Sequence, residues 1–153
     1  MTLRADIVRA TISQLKDIAE IERRCITNGW SENAFCEAFE NKSSIILAAV
    51  CDGMVIGFLN GTFVLDEAEL LNIAVRKEYR GKGAGGALIS KFLNILADMG
   101  IKSVYLEVRE SNNEAISLYK KYGFEQNGLR RSYYSCPSEN AVLMMKKLNL
   151  AGD

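Results

Sequence analysis

Apolar and polar positions change period several times along the chain, and each change marks a boundary between elements. Asp6 to Thr11 alternates as a strand does. From Ser13, which can cap a helix, the apolar positions Leu15, Ile18, Ile21 and Cys25 recur at helical spacing, and Ser31 can cap a second, short helix. Ser44 to Cys51 and Met54 to Phe63 read as strands. Between them Asp52-Gly53 is the two-residue signal of a tight hairpin, so the two strands are expected to be antiparallel neighbours. Ala68 to Val75 follows as a strand, then a charged loop with glycines, then an amphipathic helix carrying Leu88, Ile89, Phe92, Leu93 and Leu96 and ended by Gly100.

Ser103 to Val108 reads as a further strand. Strand, helix and strand make a crossover unit, which predicts a parallel pair with a right-handed connection. Ser111 with Glu114 forms a capping box for a helix through Ala115, Leu118 and Tyr122, and Gly123 stands where that helix should stop. Phe124 to Tyr134 and Glu139 to Leu148 then close the structure as strands. The expectation is an α/β protein with one domain over residues 1–153, built as a mixed sheet of about seven strands flanked on both faces by about four helices.

Composition narrows the function classes. With 19 basic and 19 acidic residues the net charge is zero, which argues against a general nucleic-acid binder but leaves room for a local basic site. The start lacks the charged-then-apolar order of a secretory signal, and the longest apolar run, Ile45 to Cys51, is far shorter than the roughly 20 residues that span a bilayer as a helix. A soluble cytoplasmic protein with no membrane partner is expected. The four cysteines form no CxxC pair and the chain has no histidine, so a metal site would need an unusual ligand set; free thiols in a reducing compartment are the simpler reading.

The segment Arg80, Gly81, Lys82, Gly83, Ala84, Gly85, Gly86 opens the central helix. Glycines there let backbone N–H groups approach a phosphate, and the helix N-terminus adds partial positive charge beside Arg80 and Lys82, so a diphosphate is the natural guest. Gly81, Gly83 and Gly86 also satisfy G-x-G-x-x-G, with Glu107 about 20 residues further on, as in a dinucleotide-binding unit. In that motif, however, the first glycine follows the strand almost directly, whereas Arg76 to Arg80 intervene here. A P-loop is excluded because no Gly-Lys-Ser/Thr ends the run.

Arg80-x-x-Gly83-x-Gly85 matches the Arg/Gln-x-x-Gly-x-Gly/Ala signature of the GNAT acetyltransferases. The run from Leu106-Glu107-Val108-Arg109 through Ser111-Asn112, Ala115 and Leu118-Tyr119 to Gly123-Phe124 resembles the ribosomal-protein-alanine N-acetyltransferase group within them. So do Trp30-Ser31-Glu32, Val64 to Ala68, Asn72 to Val75 and Arg130-Arg131-x-Tyr133-Tyr134. The resemblance covers nearly the whole chain. It implies a GNAT fold, acetyl-coenzyme A as co-substrate and the N-terminal alanine of a small-subunit ribosomal protein as acceptor. It further implies that Ile73, Ala74 and Val75 pair with the pantetheine arm, that Gly81 to Gly86 take the diphosphate and that Asn112 contacts the cofactor. Glu107 matches the proton acceptor of the group and Tyr119 its proton donor. The segment Ser138-Glu139-Asn140-Ala141 departs from the acidic pair common there, which puts in doubt any acceptor contact by Asn140.

The chemistry suits these residue types. A free α-amino group, with a reference pKa of about 8, must lose a proton before it can attack a thioester. With no histidine in the chain, a carboxylate is the leading candidate, and Glu107 stands near the carboxyl end of a parallel strand, where open sheets bind ligands. An ordinary ion pair of Glu107 with Arg76 or Arg109 is the competing reading, as core packing is for Tyr119. A backbone N–H in Ile73 to Val75 is the candidate for steadying the oxyanion. Asp66, Glu67 and Glu69 form an acidic cluster, and the resemblance implies an arginine-rich acceptor tail. Asp66 and Glu67, with Trp30, Tyr133 and Tyr134, are therefore candidates for the acceptor groove. A small-molecule amine acetyltransferase and a noncatalytic acetyl-coenzyme A sensor remain as alternative functions.

Overall fold

The computed structural model describes residues 4–148. Seven strands form one sheet in the order β1-β2-β3-β4-β5-β7-β6. They are β1 (Asp6–Arg9), β2 (Ser44–Cys51), β3 (Met54–Val64), β4 (Glu67–Val75), β5 (Ser103–Arg109), β6 (Glu125–Tyr134) and β7 (Glu139–Lys147). Four α-helices flank it, α1 (Leu15–Cys25), α2 (Glu32–Glu40), α3 (Ala84–Asp98) and α4 (Asn113–Lys121). The fold is the mixed sheet that the periodicity predicted, with the antiparallel hairpin of β2 and β3 in place. Two starts differ in detail. The chain leaves β1 at Arg9, and Thr11 rather than Ser13 begins the following turn, its N–H bonded to the Gln14 side chain. The cap of α4 is Asn112 and not Ser111, because the Asn112 side chain accepts from the Ala115 N–H at 3.1 Å.

The sheet separates two apolar layers. One side packs α3, through Leu88, Ile89, Phe92 and Leu96, on Leu47, Leu59, Leu70, Leu106 and their neighbours. On the other side α1 and α2 bring Leu15, Ile18, Ile21 and Phe35 onto Ile46, Ala48, Val55 and Phe58. Burial of this kind, at roughly 25 cal/mol per Å² of apolar surface, is what holds the helices to the sheet.

Strand β4 carries the feature that shapes the site. Its register against β3 shifts between Asn60 opposite Asn72 and Gly61 opposite Leu70, so Leu71 is an extra residue, a bulge. Before the bulge Ala68 and Leu70 face the α3 layer; after it Ile73 and Val75 pack on that side, while Ala74 joins the α1 layer. Gly61 is required opposite the bulge, since a Cβ there would run into the Phe92 ring. Beyond the bulge β4 also loses its other neighbour. It pairs in parallel with β5 only from Glu67 opposite Ser103 to Leu70 opposite Leu106, and the two strands then part.

Candidate active site

A cavity of about 550 Å³ occupies the opening where β4 and β5 part, a size suited to a cofactor. Its walls come from the end of β4 (Ile73, Ala74, Val75), from the loop and first turn of α3 (Arg80, Gly81, Gly83, Ala84, Gly85, Gly86) and from α4 (Asn112, Ala115, Leu118, Tyr119). The structure thus brings together every cofactor residue read from the sequence except Lys82, whose ammonium lies 5.9 Å from the centre of the Tyr79 ring instead. Sequence reasoning missed Cys25, Ile26, Glu114, Ser117 and Lys121, which also line the cavity. Cys25 and Ile26 reach it from the end of α1, and no local pattern joins that helix to the glycine loop.

The glycine loop has the geometry of an anion cradle. Gly83 caps α3 with φ at +96° and Gly81 has φ at +74°, backbone states that glycine adopts without a Cβ penalty. The first intrahelical bond runs from the Ala87 N–H to the Gly83 carbonyl at 3.0 Å. The N–H groups of Ala84, Gly85 and Gly86 therefore precede the ladder, on residues that line the cavity. Gly86 also serves packing, because a Cβ on it would collide with the Tyr122 hydroxyl. Arg80 is held by its Nε–H to the Val75 carbonyl at 2.9 Å and by Nη2 to the Cys25 sulfur at 3.1 Å, which ties the loop to the end of β4. Asn112 spends its side-chain oxygen on the helix cap and keeps its place on the cavity wall.

Tyr119 projects from α4 to the same cavity with 5% of its surface exposed, its ring edge-on to Phe124 at 5.9 Å between centroids. Burial, with a smaller contribution from Tyr134, pushes its phenol well above the ordinary value of 10.0, so it stays protonated. Glu107 belongs to the opposite face. Val104, Leu106 and Val108 point into the α3 layer, which leaves Tyr105 and Glu107 on the other side. The Glu107 carboxylate pairs with Arg130 at 3.6 Å, not with Arg76 or Arg109. Arg76 instead bonds Glu20 and the Val55 carbonyl, and Arg109 bonds Glu139 and the loop carbonyls of Ser135 and Pro137.

Of the acceptor candidates, Tyr133 and Tyr134 stand beside Glu107. Hydrogen bonding to the Glu107 carboxylate, and its charge, hold the Tyr133 phenol above its usual pKa. Burial and then the Glu107 charge push Tyr134 up to about 12, and Arg109 stacks over the Tyr134 ring at 4.6 Å. Trp30 packs its ring on Phe35 at 5.3 Å and belongs to the fringe of the α1 layer. Asp66 pairs with Lys102 at 3.8 Å, and Glu67 opens β4 opposite Ser103. Both sit at the paired end of β4, and neither lines the cavity. Asn140 is structural: it accepts from the Ser132 N–H at 2.9 Å and donates to Glu110 at 3.3 Å.

The match to the acetyltransferase (GNAT) family spans residues 15–124, which takes in the cradle, the parted strands, Glu107 and Tyr119. The chain belongs to the GNAT acetyltransferase family. Within this family it is 38% identical over 128 residues to the [ribosomal protein bS18]-alanine N-acetyltransferase of Haemophilus influenzae, covering 82% of this chain and 86% of that one. The crystal structure of the ribosomal-protein-S18-alanine N-acetyltransferase from Escherichia coli superposes with a TM-score of 0.90 at 32% identity, over 98% of this chain and 97% of that one. A GNAT phosphinothricin acetyltransferase from Sinorhizobium meliloti, solved in complex with AcCoA, shares the fold with a TM-score of 0.84 at 24% identity, over 97% of this chain and 90% of that one. The GNAT chain described here is therefore an acyltransferase that resembles the ribosomal-protein-alanine group.

Proposed function

We propose that this enzyme transfers the acetyl group of acetyl-coenzyme A to the α-amino group of a protein N-terminus, with the N-terminal alanine of a small-subunit ribosomal protein as acceptor. The observation that carries this reading is the pair of groups on either side of the parted strands. Tyr119 reaches the cofactor cavity from the α3 side, and Glu107 stands on the other side, beside Arg130 of β6. The identity to the bS18-alanine enzyme of Haemophilus influenzae over most of both chains supports the choice of acceptor. The setting is the cytoplasm, and among the described residues no helix is long and apolar enough to cross a membrane.

The residues present fit acetyl-coenzyme A. The N–H groups of Ala84 to Gly86 and the Arg80 guanidinium would hold its diphosphate, and the free edge of Ile73 to Val75 would pair with its pantetheine amides. Bound there, it supplies a thioester that an amine can attack. Glu107, turned to the acceptor side, takes a proton from the amine directly or through a water. A backbone N–H of the Ile73 to Val75 segment, fixed in the sheet, steadies the oxyanion without reorganisation. Tyr119 gives its proton to the departing sulfur, and the burial that raises the phenol also disfavours a thiolate, so donor and acceptor remain matched.

The deciding assay follows thiol release from acetyl-coenzyme A with peptides beginning Ala-Arg, against free polyamines and lysine side chains. Preference for the peptides is expected. Equal rates on every acceptor would remove the ribosomal assignment and favour a small-amine enzyme of the same fold.

A further inference from the structure

Three polar side chains are buried among the described residues, Glu22 in α1, Asn60 in β3 and Asn72 in β4, and they meet in one chain of hydrogen bonds at the β4 bulge. The Asn60 amide donates to Asn72 at 2.9 Å, and the Asn72 amide donates to the Glu22 carboxylate at 2.7 Å. None of the three lines the cofactor cavity, and the transfer steps above give them no task. Glu22 Oε1 and Asn60 Oδ1 have no donor among the described residues, a cost that apolar side chains of similar volume would avoid. Stability alone therefore does not account for the trio.

Its place on the strand does. With a period of two, Asn72 and Ala74 would follow Ala68 and Leu70 into the α3 layer if Leu71 were not an extra residue. Asn72 would then carry its amide into packed apolar side chains without a partner. In the bulged register the amide lies on the α1 side, between Asn60 and Glu22, and Ala74 joins the α1 layer. The same register decides where the backbone beyond the bulge points. The Arg76 N–H bonds the Ile56 carbonyl of β3 at 2.7 Å, so by alternation the N–H and C=O groups of Ile73 and Val75 turn away from β3 to the open edge. A slip of one residue would turn them back into the β3 ladder.

We propose that Glu22 is a positioning residue for acetyl transfer: acting through Asn72, it holds β4 in the bulged register that presents the backbone of Ile73 and Val75 to the thioester. This rests on the reading of that segment as the cofactor's seat and oxyanion donor. Glu22 itself touches neither. Leu15, Ile18 and Ile21 pack α1 on the sheet, so the place of the Glu22 acceptor oxygen is fixed by the core and not by a loop. Asn72 can satisfy its amide only where that oxygen stands, and the strand follows the amide.

The test measures kcat and the KM of each substrate, with the best acceptor of the assay above, in the whole enzyme, Asn72→Ala, Glu22→Ala and Glu22→Gln, at a temperature where each is folded by circular dichroism. Asn72→Ala and Glu22→Ala are each expected to lower kcat by about tenfold or more while the acceptor KM stays within about twofold, the mark of a misaimed oxyanion donor. The double variant Glu22→Ala with Asn72→Ala should lose no more than the larger single loss, since both break one link. Glu22→Gln keeps an acceptor oxygen and should restore kcat to within about threefold. Unchanged kcat in Asn72→Ala overturns the proposal, even where Glu22→Ala fails to fold. So does a loss confined to the acceptor KM, which would assign Glu22 to the loop after α1 through the Trp30 N–H that it also accepts. Hydrogen exchange checks the seat itself. Acetyl-coenzyme A that leaves the Ile73 and Val75 amides of the unaltered enzyme unprotected would remove that reading and this inference with it, whereas protection there with unchanged kcat in Asn72→Ala would remove the inference alone.

Discussion

The side-chain amide of Asn72 donates to the Glu22 carboxylate across 2.7 Å, joining helix α1 to strand β4 one residue before Ile73, where the cavity wall begins. Glu22 is 1% exposed. The same carboxylate oxygen accepts the Trp30 N–H at 3.1 Å, and Asn72 in turn accepts from the buried Asn60 at 2.9 Å. A Cβ on Gly29 would collide with the Glu22 side chain. One buried carboxylate therefore fixes both the loop between α1 and α2 and the strand beyond the bulge.

Glu22→Ala leaves the Asn72 amide and the Trp30 N–H without their partner and is expected to cost about 2–4 kcal/mol of stability, read from urea unfolding. Glu22→Gln keeps an acceptor oxygen and should cost much less. Burial holds the Glu22 carboxyl above its ordinary 4.5. Between that value and the raised one the native state binds more proton than the unfolded chain, so stability falls as pH rises through the raised value. Glu22→Gln should lack this part of the slope; an identical slope in the variant would refute the assignment.

Glu107→Gln is expected to lower turnover by about two to four orders of magnitude, the usual range for losing a general base. Affinity for acetyl-coenzyme A, measured by calorimetry, should hardly change, because Glu107 lies on the face of β5 away from the α3 layer and does not line the glycine-loop cavity. A fall of less than about threefold across the pH profile would mean that another group takes the proton.

Tyr119→Phe removes one oxygen and keeps the ring contact with Phe124. The melting temperature should hold while turnover falls by about two orders of magnitude. Because burial raises the phenol, the unaltered enzyme should show no loss of activity from Tyr119 ionisation up to about pH 10. A variant with undiminished turnover would leave Tyr119 a packing residue only.

Two glycines of the cradle should respond differently. Gly86→Ala drives a methyl into the Tyr122 hydroxyl and should cost about 1–3 kcal/mol together with most of the cofactor affinity. Gly81→Ala meets open space and bears only the strain of φ at +74°, about 1–2 kcal/mol. Equal losses of cofactor affinity in the two variants would argue that the helix start does not depend on its packing against Tyr122.

The central elements were legible because their periods are clean: Leu88, Ile89, Phe92 and Leu96 mark α3, and Val104, Leu106 and Val108 mark β5. The cradle was legible as a local run of glycines before a helix. The bulge at Leu71 was not, since apolar residues occur on both sides of it and the steric reason lies in Gly61 and Phe92, distant in sequence. Adjacent cap formers, Ser111 and Asn112, misplaced a helix start by one residue. Asp66 and Glu67 adjoin the cofactor strand in sequence, yet four residues of extended chain carry them away from the opening. The Arg130 partner of Glu107 comes from β6, where nothing local announces it.

The short parallel seam between β4 and β5 also sets how the molecule is joined mechanically. Past Leu70 and Leu106 the portion built from β1 to β4 and the portion built from β5 to β7 share no ladder bonds. A pantetheine chain bound along Ile73 to Val75, as proposed, would add rungs there. Filling the cleft should therefore stiffen the whole sheet and slow amide exchange in strands that never touch the reacting atoms.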